Sequence, residues 1–259
     1  MSWLLWLPVY DTLHYQVTLA KQSWNIERRV IQRNSNFLIT CRPTNVWGPV
    51  ALVALIAAMT VLALFSRDRA FFAWDVTVAG WVMDIPGPGV NSLMEAVSWA
   101  GVKPAIVVMV LTATALATRF LGWRAGLLVF SVLIITAANE EFKEIIGRPR
   151  PNDVDGMGNK SFPSGHALYA SLLMGVTWLL VAPRLPKQSH RLSMAGIFVA
   201  WVLVTGVSRI HLEKHWPSDV LGAYLLGAAL ILVMAWAIPV LNGIRRSSHE
   251  PSTEEGEAS

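Results

Sequence analysis

The chain alternates long apolar runs with short polar connections. Six of these runs approach the roughly 20 residues that a helix, rising about 1.5 Å per residue, needs to cross a hydrocarbon core about 30 Å thick. They lie at approximately 48–65, 102–118, 124–142, 166–183, 192–208 and 218–240. Backbone amides in hydrocarbon must bond within the chain, and the alternating pattern of a membrane barrel is absent. We therefore predict an all-α, polytopic membrane protein built as a six-helix bundle.

The segments outside these runs are polar or broken. Residues 1–47 begin with an apolar stretch that is too short to span and lacks a basic leader, so we interpret them as a cytosolic or interfacial arm. Residues 70–100 carry three tryptophans and two prolines, which predicts short interfacial helices between the first and second spans. We expect a membrane domain over 48–241 and a solvated tail over 242–259.

Composition supports a membrane protein and excludes several other classes. Hydrophobic residues make up 54% of the chain and charged residues only 15%, well below the roughly one quarter that is usual for soluble domains. A single cysteine, Cys41, rules out a disulfide scaffold. The net charge is +4, but the basic residues are scattered between apolar runs instead of forming one stripe, so we expect no nucleic-acid partner.

The distribution of Lys and Arg predicts the orientation. The connections on the side of the two termini hold more basic residues than the opposite side, which favours cytoplasmic termini in a plasma or inner membrane. The basic residues on the opposite side crowd into two connections, 143–165 and 209–217. We therefore expect an anionic ligand at the extracytoplasmic face.

Three polar stretches lie at the ends of spans on that face. They read KEIIGRPRP over 143–151, PSGH over 163–166 and SRIHLEKHWPSD over 208–219. Each has a plain structural explanation when taken alone, because terminal Lys and Arg anchor spans and Ser caps helices. Together, in this order and on one face, they favour a functional site.

Helix starts supply part of the expected anion site. Ser164 is a natural N-cap for the fourth span, so the amides of Gly165 and His166 lack acceptors within the helix and can bind an anion. Pro217 is a favoured first helical residue, which places Asp219 in the first turn of the sixth span. Two positive helix ends can thus face one small volume.

Basic side chains supply the rest. Glycine and prolines within 147–151 stop the third helix, so we expect Arg148 and Arg150 on an irregular loop that can fold over a ligand. The planar guanidinium and the mobile ammonium both suit phosphate oxygens, and a glycine lets the backbone approach closely. The predicted cations are Lys143, Arg148, Arg150 and Arg209. We expect the neighbouring glutamates, Glu140 among them, to pair with Lys or Arg.

Histidines add a reaction to this site. A neutral imidazole can attack phosphorus, and a second, protonated imidazole can deliver a proton to the leaving alkoxide. Asp219 lies four residues after His215 and is placed to accept a hydrogen bond from one ring nitrogen, leaving the other free to attack. No cluster with metal-ligand spacing accompanies the histidines, so we expect neither a metal nor another cofactor.

The three stretches resemble, in order and internal spacing, the signature of the type 2 phosphatidic acid phosphatase superfamily: Lys, six residues, Arg-Pro; then Pro-Ser-Gly-His; then Ser-Arg, five residues, His, three residues, Asp. The resemblance implies His215 as the nucleophile, His166 as the general acid and Asp219 as the orienting partner. It also implies a phosphate cradle of Lys143, Arg150, Ser164, Gly165 and Arg209. Arg148 lies outside the signature and is a possible additional phosphate ligand.

The resulting hypothesis is a membrane-integral, metal-independent phosphatase that acts through a phosphohistidine on lipid phosphate monoesters or diphosphates. Phosphatidate, phosphatidylglycerol phosphate, phosphorylated lipid A and the diphosphate of a polyprenol such as undecaprenol remain open as substrates. Two alternatives stay open: a lipid phosphotransferase that uses the same intermediate, and a non-catalytic anion-binding or lipid-binding membrane protein. The oligomeric state is not predicted.

Overall fold

The computed structural model describes residues 47–68, 71–153, 158 and 160–247, with side chains up to residue 238. The predicted amino-terminal arm and the end of the predicted tail lie outside these residues. All regular secondary structure in the described part is helical. The eight α-helices are α1 (Trp47–Asp68), α2 (Ala73–Met83), α3 (Val90–Trp99), α4 (Lys103–Leu121), α5 (Trp123–Ile146), α6 (Gly165–Val181), α7 (Gln188–His211) and α8 (Pro217–Ser247).

Six of these helices are long and apolar enough to cross a membrane, which confirms the predicted bundle. They are α1, α4, α5, α7, α8 and α6 with the short 3-10 turn Ala182–Arg184 that extends it. Their ends lie within four residues of the predicted boundaries, except that α8 continues seven residues beyond its predicted end, to Ser247. The two short helices α2 and α3 fall between the first and second spans, also as predicted. The protein is a multi-pass membrane protein.

Helix α6 lies at the centre of the packing. It contacts α5, α7 and α8, and its side chains from Ala167 to Leu173 are buried almost without interruption. Helix α4 packs on α5, and α1 packs on α8. By contrast, α1 exposes much of its apolar surface, which suits a helix that faces lipid. The short helices α2 and α3 both pack against α7, and α2 also contacts α8.

Local sequence explains why the helix ends meet where they do. Gly147 ends α5 with φ at +73°, a left-handed conformation that glycine adopts without steric cost, and its amide donates to the carbonyl of Lys143 at 2.9 Å. The loop after α5 then folds back on itself, because the amide of Ser161 donates to the carbonyl of Arg148 at 2.8 Å. The amide of Ser164 donates to the carbonyl of Asp219 at 3.1 Å, which ties the start of α6 to the start of α8.

Candidate active site

The structure brings the three polar stretches together at one end of the bundle. The end of α5, the starts of α6 and α8, and the end of α7 converge there. Lys143, Arg150 and Arg209 all lie close enough to His215 to act electrostatically on its ring, and His166 lies within the same range. Five residues that are far apart in the sequence therefore lie near one another at this end of the bundle.

The start of α6 presents unpaired donors to this volume. The first amide bonded within the helix is that of Leu168, which donates to the carbonyl of Ser164 at 3.0 Å, so the amides before it lack helical acceptors. Ser164 occupies the predicted N-cap position, but its side chain makes no capping hydrogen bond. Its hydroxyl is buried and has no partner within the described structure, so it is free to bind a ligand.

Lys143 and Gly165 lie side by side in the site. A β-carbon placed on Gly165 would lie 3.4 Å from the ammonium of Lys143, which shows how closely the helix start approaches this cation. The Lys143 side chain is buried, and its ammonium lies 2.6 Å from Oε1 of Glu140, one turn earlier on α5. Glu140 also lies 3.6 Å from the exposed Lys103. The expected pairing of Glu140 with lysine is thus confirmed.

Two arginines complete the cationic side of the site. Arg209 is buried near the end of α7; its Nη1 donates to the hydroxyl of Ser98 on α3, and its Nε has no hydrogen-bond partner within the described structure. Arg150 is half-buried in the loop after α5. Burial lowers the pKa of Arg150, whereas the carboxylates of Glu140, Asp219 and Asp153 raise it. A guanidinium remains charged under such shifts, so both arginines can bind an anion.

His215 is buried just before α8, and its surroundings favour a neutral ring. Burial lowers the pKa of His215 well below its usual 6.5, and the positive charges of Arg209, Arg150 and Lys143 lower it further. Its Nδ1 lies 3.5 Å from Oδ2 of Asp219. This distance is long for a hydrogen bond, but it directs Nδ1 towards the carboxylate and leaves Nε2 on the other side of the ring.

His166 lies in the first turn of α6 and packs against the turn that precedes α4. A β-carbon on Gly101 would lie 2.1 Å from Cδ2 of the His166 ring, so only a glycine fits at this position without a shift. The backbone of Ser98 lies close to the ring. Nε2 of His166 is buried without a partner within the described residues. Neither Ser98 nor Gly101 was recognised from the sequence as a contributor to the site.

Arg148 differs from its prediction as a possible phosphate ligand on a loop that folds over the substrate. It is fully buried, with Nη1 donating to Oδ1 of Asp219 at 2.6 Å and Nη2 donating to Oδ2 of Asp75 at 2.8 Å. The ring of Phe72 lies 5.2 Å from its guanidinium carbon. Because these carboxylates bind its guanidinium behind His215, Arg148 supports the site instead of lining it. Asp75 itself was missed; a lone carboxylate in the apolar stretch AWDVTV was the available signal.

The fold and the site together define a polytopic membrane protein whose helix ends bring several cations and two histidines close together. A family model described as the PAP2 superfamily matches residues 124–242. The chain is 26% identical to phosphatidylglycerophosphatase B of Bacillus subtilis over 70% of this chain and 92% of that protein. It is also 40% identical to undecaprenyl-diphosphatase of Sulfolobus acidocaldarius over 31% of this chain and 32% of that protein.

A solved structure shares the fold. The crystal structure of a transmembrane PAP2 type phosphatidylglycerolphosphate phosphatase from Bacillus subtilis matches with a TM-score of 0.59 and 26% identity, covering 73% of this chain and 95% of that one. Residues 124–242, which contain all three polar stretches, thus match the PAP2 superfamily, the type 2 phosphatidic acid phosphatases, and the fold is similar to that of a transmembrane PAP2 type phosphatase.

Proposed function

We propose that this protein hydrolyses phosphate monoesters or diphosphates of membrane lipids through a phosphohistidine on His215. The observation that carries the proposal is the environment of that histidine. It is a buried imidazole with a lowered pKa, it has Asp219 at 3.5 Å on its Nδ1 side, and it is surrounded by Lys143, Arg150 and Arg209. A neutral ring with one nitrogen directed at a carboxylate is the form of histidine that can attack phosphorus.

The proposed first step is attack on the bound phosphoryl group. The cationic side chains and the amides at the start of α6 hold its oxygens, and the free hydroxyl of Ser164 binds one more. Nε2 of His215 forms a bond to phosphorus while the bond from phosphorus to the lipid oxygen breaks. The ring becomes a cation that keeps its Nδ1 proton beside Asp219. Protonated His166 gives its proton to the departing lipid oxygen.

Water completes the cycle. In the second step His166, now neutral, accepts a proton from water as the oxygen attacks phosphorus, and the bond between phosphorus and Nε2 breaks. Inorganic phosphate leaves, and both histidines return to their starting states. In phosphoryl transfer most of the catalysis is positioning and charge stabilisation, which the cations and helix ends can supply. We therefore propose that the reaction needs no metal ion.

The position of the site supports a lipid as the substrate. The pocket lies at the ends of membrane-length helices, so a headgroup can enter it while the acyl or prenyl chain remains in the bilayer. Among the open substrates we place phosphatidylglycerol phosphate first, because the relative that this chain covers almost completely is named for that activity. A polyprenyl diphosphate is second, on the name of the archaeal relative. We propose that the pocket faces the extracytoplasmic side and that the termini are cytoplasmic.

The test combines a nucleophile variant with labelled water. Purified protein in detergent and chelator should release phosphate from a panel of lipid phosphates and diphosphates, and the label should appear in that phosphate. His215→Ala should lower kcat by at least about a thousandfold because the covalent route is lost. His190→Ala, which changes an exposed histidine in the first turn of α7, is the matched control and should retain full activity.

Each alternative gives a different result. Transfer would give a phosphorylated acceptor and no label in free phosphate. If the protein only binds its ligand, the unaltered protein would bind phosphate but would release none from the lipid substrates. Retained turnover in His215→Ala would remove His215 as the nucleophile, and activity that disappears with chelator and returns with magnesium would contradict a metal-independent reaction.

A further inference from the structure

Helix α2 contains one fully buried residue, the carboxylate Asp75, among exposed and half-buried neighbours. Its neighbour Val76 is 52% exposed and Trp81 is 70% exposed, whereas Asp75 is 0% exposed. Asp75 is not part of the family signature, and it lies 143 residues before its partner Ser218. Burying a carboxylate is costly unless every oxygen finds a donor, so the position needs a physical reason.

Donors from three parts of the chain satisfy Asp75. The amide of Ser218 donates to Oδ1 at 2.8 Å, and the hydroxyl of Ser218 donates to Oδ2 at 2.7 Å. Oδ2 also accepts from the amide of Phe72 at 3.0 Å and from Nη2 of Arg148 at 2.8 Å. The carboxylate is therefore fully hydrogen-bonded and paired with a cation, which offsets the cost of burying it.

The same arginine and serine connect Asp75 to the proposed orienting residue. Nη1 of Arg148 donates to Oδ1 of Asp219 at 2.6 Å and to the hydroxyl of Ser218 at 2.7 Å. Oδ2 of Asp219 is left for the amide of Trp216, at 2.8 Å, and for the Nδ1 side of His215. Arg148 thus holds one oxygen of Asp219 and thereby fixes the direction of the other.

Charge is the second consequence of this arrangement. Two carboxylates share one guanidinium, so the buried cluster of Asp75, Arg148 and Asp219 has one more acidic than basic group, and its formal charge is negative. That excess favours a positive charge on the neighbouring ring, and burial weakens the screening by water. The ring becomes positive only when Nε2 has bonded to phosphorus. The interaction is therefore stronger in the intermediate than in the resting enzyme.

We propose that Asp75 and Arg148 are positioning residues of the active site, which orient Asp219 and supply the net negative charge that stabilises the phosphorylated ring of His215. The inference rests on the proposed function, because it assumes that His215 carries the phosphoryl group. Helix α2 then contributes to catalysis. Through Asp75 it places a negative charge near His215, on the side of Asp219, and the signature residues do not provide this charge.

The main test is Asp75→Asn, which preserves shape and removes the charge. We expect kcat to fall about 10- to 100-fold, as for loss of a charged hydrogen bond, with KM and the inhibition constant of inorganic phosphate unchanged within about twofold. Asp84→Asn, at an exposed aspartate immediately after α2, is the matched control and should leave kcat unchanged. A rise in KM at unchanged kcat in Asp75→Asn would overturn the proposal.

A double-variant cycle shows whether Asp75 acts through Asp219. If it does, adding Asp75→Asn to Asp219→Asn should cause little further loss of kcat, because the pathway is already broken. Multiplying losses would show that Asp75 does not act through Asp219 and would overturn its role in orienting that carboxylate. Ser218→Ala removes a shared hydroxyl without altering charge, and it covers the case in which Asp75→Asn does not fold. We expect it to lower kcat by about tenfold at constant KM, and an unchanged kcat would count against the inference.

Failure of this inference can be told apart from failure of the proposed function. If His215→Ala retains turnover, the phosphohistidine fails and the positioning role fails with it. If His215→Ala is inactive and Asp75→Asn matches the unaltered protein in kcat, only the positioning role fails.

Discussion

The active site has two walls of different origin. The ends of α5 and α7 and the starts of α6 and α8 form one wall, and they carry all three polar stretches. The second wall is built from α2, α3 and the turn before α4, which carry no recognisable motif. This short-helix wall nevertheless supplies Asp75 behind Asp219, Ser98 against Arg209 and Gly101 against His166.

We propose that the two walls divide the work: the motif-bearing wall holds the groups that can touch a phosphate, and the short-helix wall holds groups that keep them in place. A side chain that binds substrate must be one of a few chemical types, whereas a support only has to present a donor, an acceptor or a gap. Substitutions in the short-helix wall should therefore change rates or affinities while leaving all proposed catalytic groups present.

The largest effect in this wall, beyond that of Asp75, is expected from Gly101→Ala. The added carbon would overlap the His166 ring, and the ring must move because the turn is buried. We expect kcat for a lipid phosphate to fall about 10- to 100-fold, which is the loss of rate expected when a general acid is displaced. The kcat for p-nitrophenyl phosphate, whose leaving group needs no proton, should fall much less.

The matched control for that experiment is Gly80→Ala, at a glycine of α2 with open space around it. If Gly101→Ala lowered kcat equally for the two substrates, the substitution would have disrupted the site generally. The proposal that Gly101 positions His166 as the general acid would then be wrong.

An intermediate effect is expected from Ser98→Ala. The hydroxyl of Ser98 accepts a hydrogen bond from Arg209, and its removal leaves that buried guanidinium less constrained. We expect KM and the inhibition constant of inorganic phosphate to rise about three- to tenfold, in line with a hydrogen bond to a charged group. Ser92→Ala, at an exposed position of the same helix, should change neither constant. An unaltered inhibition constant in Ser98→Ala would show that Arg209 does not depend on α3.

The two walls also differ in what could be predicted from the sequence. The six spans followed from length and hydrophobicity, because a helix in lipid needs no partner to form. The candidate site residues on the long helices were predicted from helix ends, from charge and from the resemblance to a family signature. Asp75 could not be assigned in this way, because its meaning depends on Ser218 at a separation of 143 residues. Arg148 was predicted on the correct loop. Its side chain binds Asp75 and Asp219, and this contact depends on tertiary packing that the local sequence does not reveal.

The smallest effect is expected in the motif-bearing wall, and its sign is opposite. Glu140 is 44% exposed and lies 2.6 Å from the ammonium of Lys143, so a bound phosphate must compete with this carboxylate for the cation. Glu140→Gln should therefore lower KM by about two- to fivefold at low ionic strength. This change corresponds to the small free energy that a partly exposed ion pair contributes. The difference should shrink as salt is added, because salt screens exposed charges.

Glu144→Gln, at an exposed glutamate one turn later on α5, is the control for the loss of a negative charge near the pocket. A higher KM in Glu140→Gln would mean that Glu140 holds Lys143 in place for the substrate. In that case supporting residues would occur in both walls, and the division of work between them would not hold.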